Sequence, residues 1–455
     1  LVQATGGELL RGAPETRVDS FVIDTRRLET RGVFFALKGE RTDGHRFLGQ
    51  AAERGAAAVI QQQPEADAPA PAGLILVADV AVALAACGSW VRRMLRPKKW
   101  IAVTGSNGKT TTKELIAEAL TAGYRVHRTP GNLNNHLGVP LSLLACPADA
   151  EMVVLEMGMS GYGEIAALAG MADPDVALIT NVRAAHLAAF DSLDDIAAAK
   201  GELFAVLRDE ATAVVNLDDT LVRVQAARHV GPRVTFGQHP AADVQMEEVH
   251  SRFVPGSEVV FRHAGRRYRV SLRIGGAHAA FNAVAAAAVV VAAGADVGAG
   301  IERMERLEAG PGRGRVHRLQ RGMMLVDDSY NSSPAALASV LETLRVSQTE
   351  GRRVLVMGDM LELGRMEGAL HREAGKRAAA AGVKLLFAVG AASRAAAESA
   401  RRAGVPEVHH HADSRKAAES IVEFLHPGDL IVVKGSRAVG LERVVQALLA
   451  EYGEN

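Results

Sequence analysis

What this chain has little of narrows its function before any motif is read. Cysteine is scarce: Cys87 and Cys146 are the two among 455 residues, both in Ala/Leu-rich surroundings with no paired spacing. That excludes a disulfide framework and points to buried thiols in a reducing compartment, so a cytoplasmic protein is expected. Net charge is absent as well. Lys plus Arg and Asp plus Glu both number 52, which leaves no field for non-specific binding to nucleic acid or acidic membranes. A membrane-length apolar run is also missing. The longest candidate, 279–293, is mostly alanine, is interrupted by Asn282, and falls short of the roughly 20 strongly apolar residues that a span needs. It reads as a buried helix. No signal peptide is visible, and a chain starting at Leu1 rather than methionine suggests that a short N-terminal piece is missing.

What is present is enough apolar residue, 48%, to fill several cores, and the length divides into about three domains. The first quarter offers strand-like "SFVID" and "GVFFAL", a helix, "AAAVI", and a Pro/Ala-rich loop "QQQPEADAPAPAG". From Lys99 the pattern changes to apolar runs alternating with amphipathic helices: "WIAVT", "MVVLEM", "VALIT" and "ATAVVN". Continuous apolar strands separated by helices indicate a parallel sheet covered on both faces. A second such series follows Gly310, with "MMLVDD", "RVLVMG", "LLFAVG" and "DLIVVKG" each closing on Asp, Gly or Lys. Open parallel sheets bind ligands at the carboxyl ends of their strands, where these polar residues fall. The glycines and arginines of "PGRGRVH", 311–317, form the natural hinge between the two series. The expected fold is therefore α/β with three domains: a small N-terminal α/β domain (1–97), a central P-loop parallel-sheet domain (98–311) and a C-terminal Rossmann-like domain (312–455).

The stretch "VTGSNGKTTTKELIAEAL", 103–120, carries the chemistry. Glycines Gly105 and Gly108 let the backbone, with Ser106 and Asn107, approach phosphate oxygens. Lys109 supplies a point charge, the hydroxyl of Thr110 can ligate Mg²⁺, and Thr111 continues the first helical turn. The usual glycine five residues before Gly108 is replaced by Val103, so this is either a chance match or a shorter phosphate loop. Mg²⁺ prefers oxygen ligands. Glu156, closing "MVVLE", either faces a cation or is a solvent-exposed strand end, because an ionised side chain buried alone costs several kcal/mol, on the order of 5. His186 could join it, although a single histidine says little by itself. In "SLDDIAAAK" Ser192 caps a helix with Asp195 as its capping-box acid. From the residues alone, Lys200 there reads as a solvated helix lysine. The run "VHHHA" (His409, His410, His411) is given no function, because adjacent strand residues point to opposite faces. "DDSYN", 327–331, reads equally as a turn.

Together these pieces resemble the Mur ligase family, ATP-dependent amide ligases that build the peptide of the peptidoglycan precursor, over nearly the whole chain. The short loop with Gly105 and no glycine at Val103 is similar to that family's form. The stretches "IDTRRLETRGVFFALKGERTDGHRF", "DDSYNSSP", "VMGDMLELG" and "VVKGSRAVG" look most like the member that joins D-alanyl-D-alanine to UDP-N-acetylmuramoyl-tripeptide. Where that pattern has Ala-Asn before proline, this chain has Ser332 and Ser333. The resemblance implies that Thr110, Glu156, His186 and Lys200 bind Mg²⁺, with Lys200 N-carboxylated. It implies that Asn282 lies at the adenine side of ATP, and that Arg315 and Asp328 approach the nucleotide and Mg²⁺ or orient the last domain. Asn331, Lys434 and Ser436 would face the reacting centre, with Lys109, Lys200 and His186 catalytic. Thr25, Arg26, Lys38, Gly39, Asp43 and His45 fall in a segment similar to the uridine-diphosphate site. The implied reaction passes through an acyl phosphate, in a monomer with no nucleic-acid partner and no integral membrane segment. A folylpolyglutamate synthase, which shares the phosphate loop, is the alternative within the superfamily.

Overall fold

The computed structural model describes residues 1–40, 42–55, 57–64, 69–184 and 190–454. Three sheets organise them, each dominated by parallel pairing as expected for apolar strands alternating with helices. The first is five-stranded, in the order Glu8–Arg11, Gly73–Leu76, Ala57–Ile60, Gly32–Phe35, Ser20–Val22. The outer strand Glu8–Arg11 runs antiparallel and the others parallel. The run "SFVID" is shorter than its apolar pattern, ending at Val22 because Asp24 turns to cap a 3₁₀ turn, accepting from the Arg26 N–H.

The middle sheet has nine strands, in the order Arg266–Leu272, Ser257–His263, Val244–Ser251, Arg233–Gly237, Thr212–Asn216, Val176–Ile179, Lys99–Thr104, Met152–Glu156, Val126–Arg128. Its three-strand antiparallel end alternates buried and exposed residues and was not read from the sequence. The third sheet is six-stranded: Arg315–Arg318, Met324–Asp328, Leu430–Lys434, Arg353–Gly358, Val383–Val389, Glu407–His411. The four apolar runs predicted after Gly310 are its four interior strands. Leu325, Val356, Phe387 and Val433 are fully buried beneath the helices Ser414–Ile421 and Glu442–Tyr452.

By contacts the chain divides into two compact units: residues 1–104, 124–177 and 202–212, and residues 105–123, 178–201 and 213–455. In the first, the helix Val80–Met94 is capped by Asp79 and lays Val80, Ala83, Leu84 and Cys87 on the five-stranded sheet. Burial pushes the Cys87 thiol up to about 11 and the Cys146 thiol up to about 12, and neither cysteine is in a disulfide. In the second unit, the alanine-rich segment is the helix Ala277–Ala292, buried on nearly every side. Among the described residues no helix is long and apolar enough to cross a membrane.

Candidate active site

The strand Lys99–Thr104 runs into a loop that ends at the helix Lys109–Leu120. Two glycines make that loop possible. Gly105 and Gly108 have φ of 146° and 83°, conformations that L side chains rarely adopt. A Cβ on Gly105 would fall 1.9 Å from Thr180 Oγ1, and one on Gly108 would fall 2.5 Å from Asn282 Oδ1. Gly108 is the helix N-cap and makes no side-chain cap bond, and the positive end of the helix dipole there favours an anion. Lys109 Nζ folds back over the loop, donating to the carbonyls of Gly105 at 2.8 Å and Ser106 at 3.3 Å. Thr110 and Thr111 are half-buried in the first turn.

The loop is held from outside by residues that sequence reasoning did not single out. Thr180 Oγ1 and Asn181 Nδ2 donate to the Asn107 carbonyl at 2.7 and 3.1 Å, while Asn107 N–H donates to Asn181 Oδ1 at 3.1 Å. The Ser106 hydroxyl accepts from Arg183 N–H at 2.9 Å and donates to its carbonyl at 3.0 Å. Arg183 Nη1 in turn lies 2.6 Å from Asp219 Oδ2, a buried carboxylate that also takes N–H groups from Val182, Leu221 and Val222. Asn216 Nδ2 donates to the Thr180 carbonyl at 2.8 Å. Thr180 and Asn216 close "VALIT" and "ATAVVN", and Asn181, Arg183 and Asp219 follow within three residues. The signal was the same one used elsewhere, polar residues at the carboxyl end of an apolar strand.

Asn282 is buried, and its Nδ2 has no hydrogen-bond partner among the described residues. An orphaned amide donor beside Gly108, together with two glycines where any Cβ would collide, fits a nucleotide better than it fits a closed loop. Lys200 overturns its reading as a solvated residue. Its helix, Leu193–Ala205, is capped as expected, with Asp195 N–H donating to Ser192 Oγ at 3.1 Å, but Lys200 is only 2% exposed. Burial, and after it the charge of Lys109, hold its ammonium well below the ordinary 10.5. Glu156, in the first unit, is likewise buried rather than at an exposed strand end. Asn134 Nδ2 donates to its Oε1 at 2.7 Å, and its own N–H is received by Thr129 Oγ1 at 2.9 Å. His186 lies outside the described residues. Among the described residues no three His, Cys, Asp or Glu side chains gather as a metal site.

Four of the C-terminal candidates do come together. Asp328 and Lys434 are register partners on parallel strands, and Lys434 Nζ donates to Asp328 Oδ2 at 2.7 Å and to the Asn331 carbonyl at 3.0 Å. Ser436 Oγ accepts from Leu361 N–H at 3.0 Å and lies 3.5 Å from the Ser332 carbonyl. Ser333 caps the helix Pro334–Val346 and donates from Oγ to Asn107 Oδ1 at 3.3 Å, which joins this group to the phosphate loop. His278, in the same "GGAHAAFNAV" segment as Asn282, lies 3.3 Å from Ser339 Oγ through Nδ1. Beside them is a cavity of about 550 Å³ whose lining includes Arg183, Asp219, Ala338, Met360 and Arg377. Arg315 begins a strand and is exposed, and no hydrogen bond joins it to these residues. The paired acid "DDS" is more than a turn: buried Asp327 receives Gly312 N–H at 2.9 Å and Ser329 Oγ at 2.6 Å, fixing the glycine-rich segment before it.

Of the N-terminal candidates, Lys38, Asp43 and His45 gather. Lys38 and Asp43 form a backbone bridge. Gln61 N–H donates to His45 Nε2 at 3.0 Å, so the ring proton sits on Nδ1, 2.7 Å from Asp43 Oδ1. The His45 N–H and then its ring hold the Asp43 carboxyl below its ordinary value. Gly39 is exposed in the turn between them. Thr25 is buried against Gln50, its hydroxyl donating at 2.9 Å, and Arg26 is 86% exposed and paired with Asp24.

Comparison with known proteins bears on this geometry. Models described as "Mur ligase family, catalytic domain", "Mur ligase middle domain" and "Mur ligase, glutamate ligase domain" match residues 17–134, 103–290 and 312–437. The UDP-N-acetylmuramoyl-tripeptide–D-alanyl-D-alanine ligase of Bacillus subtilis is 35% identical over 440 residues, covering 96% of this chain and 94% of that protein. A MurF from Acinetobacter baumannii superposes with a TM-score of 0.88 at 29% identity, over 99% of this chain and 98% of that one. A MurF from Thermotoga maritima, solved in complex with ADP, superposes with a TM-score of 0.82 at 28% identity over 96% and 99%. Matched over residues 17–290 and 312–437 and along nearly the whole of its relatives, this chain belongs to the Mur ligase family.

Proposed function

We propose that this chain is an ATP-dependent amide ligase that joins D-alanyl-D-alanine to UDP-N-acetylmuramoyl-tripeptide in peptidoglycan precursor synthesis. The observation that carries the reading is its similarity, over nearly the full length, to ligases bearing that name. The alternative of a folylpolyglutamate synthase loses its ground to the same observation.

ATP is consumed, so it is a substrate here. The loop 105–111 and the first turn of the helix Lys109–Leu120 receive its phosphates, Asn282 offers a donor to the base, and Arg315 and Asp328 approach from the C-terminal side. The tripeptide carboxylate attacks the γ-phosphorus and ADP leaves, giving an acyl phosphate. The dipeptide amine then adds to the activated carbonyl, loses a proton and expels phosphate. Lys109 neutralises charge that spreads over the transferring phosphoryl group. Asn331, Lys434 and Ser436 face the dipeptide, and the segment 311–317 is the hinge about which closure excludes water from the labile acyl phosphate.

Thr110, Glu156, His186 and an N-carboxylated Lys200 are the residues we assign to Mg²⁺, which when bound supplies positive charge against the phosphate oxygens. The oxygen donors suit that ion. Burial supports the modification: a Lys200 amine kept neutral can add to carbon dioxide, forming the N–C bond while one C=O becomes C–O⁻ and the proton leaves to water. An ammonium cannot. We assign Thr25, Arg26, Lys38, Gly39, Asp43 and His45 to the uridine-diphosphate end, and the division 1–97, 98–311, 312–455 to the three substrate-handling domains of a cytoplasmic monomer. Mass detection of the UDP-N-acetylmuramoyl-pentapeptide after incubation with ATP, Mg²⁺ and both substrates tests the proposal. A protein that turns over ATP without forming that product would refute it.

A further inference from the structure

The segment "VMGDMLELG" has no role in the chemistry above, yet it is fastened more firmly than a connecting loop requires. It begins in the strand Arg353–Gly358 and leads towards the helix Glu367–Ala380. Asp359, the first residue past the strand, is buried and accepts from Ser393 N–H at 2.7 Å and Ala392 N–H at 3.3 Å. Gly390 must be glycine to permit this, because a Cβ there would fall 2.4 Å from the Asp359 carboxylate. One residue on, Met360 N–H donates to Nε2 of His371 at 3.0 Å, and His371 Nδ1 reaches the Glu367 carbonyl at 2.8 Å. A backbone N–H only donates and a carbonyl only accepts, so both partners together fix His371 as the neutral ring with its proton on Nδ1. The ring has no measurable exposure. Further along, Glu362 takes a φ of 62°, a conformation costly for a non-glycine residue that persists where the surroundings hold it.

What this segment holds is Ser436. The Asp359 carbonyl accepts from Ser436 N–H at 3.1 Å, and Leu361 N–H donates to Ser436 Oγ at 3.0 Å. Both contacts lie within two residues of Met360, the residue His371 grips. With one lone pair of Ser436 Oγ taken by Leu361 N–H and its proton directed at the Ser332 carbonyl 3.5 Å away, the hydroxyl is restricted in the direction it can offer to a ligand.

From this chain of contacts we infer that His371 is a positioning residue for the dipeptide site: it touches no substrate and acts by holding Met360 and Leu361 so that Ser436 is aimed. The inference rests on the reading of Ser436 as a dipeptide-facing residue. His371→Phe keeps the ring volume and removes both hydrogen bonds, whereas His371→Gln keeps an acceptor and a donor near the same places. The experiment measures KM for D-alanyl-D-alanine and for ATP in the full-length enzyme carrying His371→Phe, His371→Gln, Ser436→Ala and the His371→Phe/Ser436→Ala pair.

Ser436→Ala is expected to raise KM for the dipeptide about tenfold. His371→Phe should raise it by a similar factor with KM for ATP changed less than about twofold, and His371→Gln should recover most of the loss. The double variant should be no worse than Ser436→Ala alone, because the histidine acts through the serine. If Ser436→Ala leaves the dipeptide KM unchanged, the reading of Ser436 fails. If Ser436→Ala raises it but His371→Phe does not, or raises both KM values alike, or adds fully to Ser436→Ala, the positioning role is overturned. Should His371→Phe not fold, His371→Leu, which also lacks both hydrogen bonds, decides the matter alone and paired with Ser436→Ala: a rise confined to the dipeptide that adds nothing in the pair upholds the role, and wild-type behaviour or full additivity overturns it.

Discussion

Lys434 and Asp328 face each other at the carboxyl ends of two neighbouring parallel strands, Nζ to Oδ2 at 2.7 Å, with Lys434 only 4% exposed. Removing one member of such a pair leaves the other charge buried without compensation, which costs on the order of 3 kcal/mol. Lys434→Met is therefore expected to lower stability by about that amount in urea unfolding, and Lys434→Met with Asp328→Asn to recover most of it. Equal stability of Lys434→Met and wild type would show that the pair is screened by solvent.

Gly105 is the tightest point of the phosphate loop. Alanine there meets both a φ of 146° and a Cβ position 1.9 Å from Thr180 Oγ1. Relief requires the loop to move away from the Thr180–Asn181 pair that holds Asn107. Gly105→Ala should weaken ADP binding by at least about tenfold in calorimetry, at a backbone strain of about 1 to 3 kcal/mol. Unchanged ADP affinity would mean that the loop is not the phosphate site.

Lys200 makes a pH prediction with a definite sign. Its ammonium is held well below 10.5 in the folded protein by burial and by Lys109. Between that depressed value and about 10.5 the unfolded chain binds a proton that the folded chain does not, so stability rises with pH across this window and is lost as pH falls through it. Protein stripped of carbon dioxide should show that slope in thermal unfolding, and Lys200→Met should flatten it. Lys200→Ala should lose most activity and regain part of it with a small added carboxylic acid. No recovery at saturating acid would contradict the carboxylated form.

Lys109 carries the electrostatic part of the mechanism. Loss of a charge aimed at the transferring phosphoryl group costs about 3 to 4 kcal/mol in the barrier, so Lys109→Ala should fall by two to three powers of ten in kcat. Near-full turnover would refute its role.

The parts of this site legible in the sequence were those where one residue type has one physical use. Gly105 and Gly108 announced a backbone that must pass close to something, and the apolar runs closing on Asp328 and Lys434 announced strand ends that could bind. Lys200 was not legible. Its helix, "LDDIAAAK", is alanine-rich on more than one face, so spacing could not tell which side is covered, and only the fold shows the lysine inside. Thr180, Asn181 and Asp219 were missed for a different reason: a short polar residue after a strand does not show what it holds, and their hydrogen bonds to Asn107, Val182 and Arg183 join segments 36 to 74 positions apart. The grip of His371 on Met360 depends likewise on a loop geometry that no periodicity encodes.

The central claim, a ligase that couples ATP to two further substrates, is tested most directly by phosphate release from the purified protein with ATP and Mg²⁺, omitting UDP-N-acetylmuramoyl-tripeptide and D-alanyl-D-alanine in turn. Sustained release that requires both is the predicted result. Release with neither, or with a folate and glutamate in their place, would leave the phosphate loop correctly read and the proposed substrates contradicted.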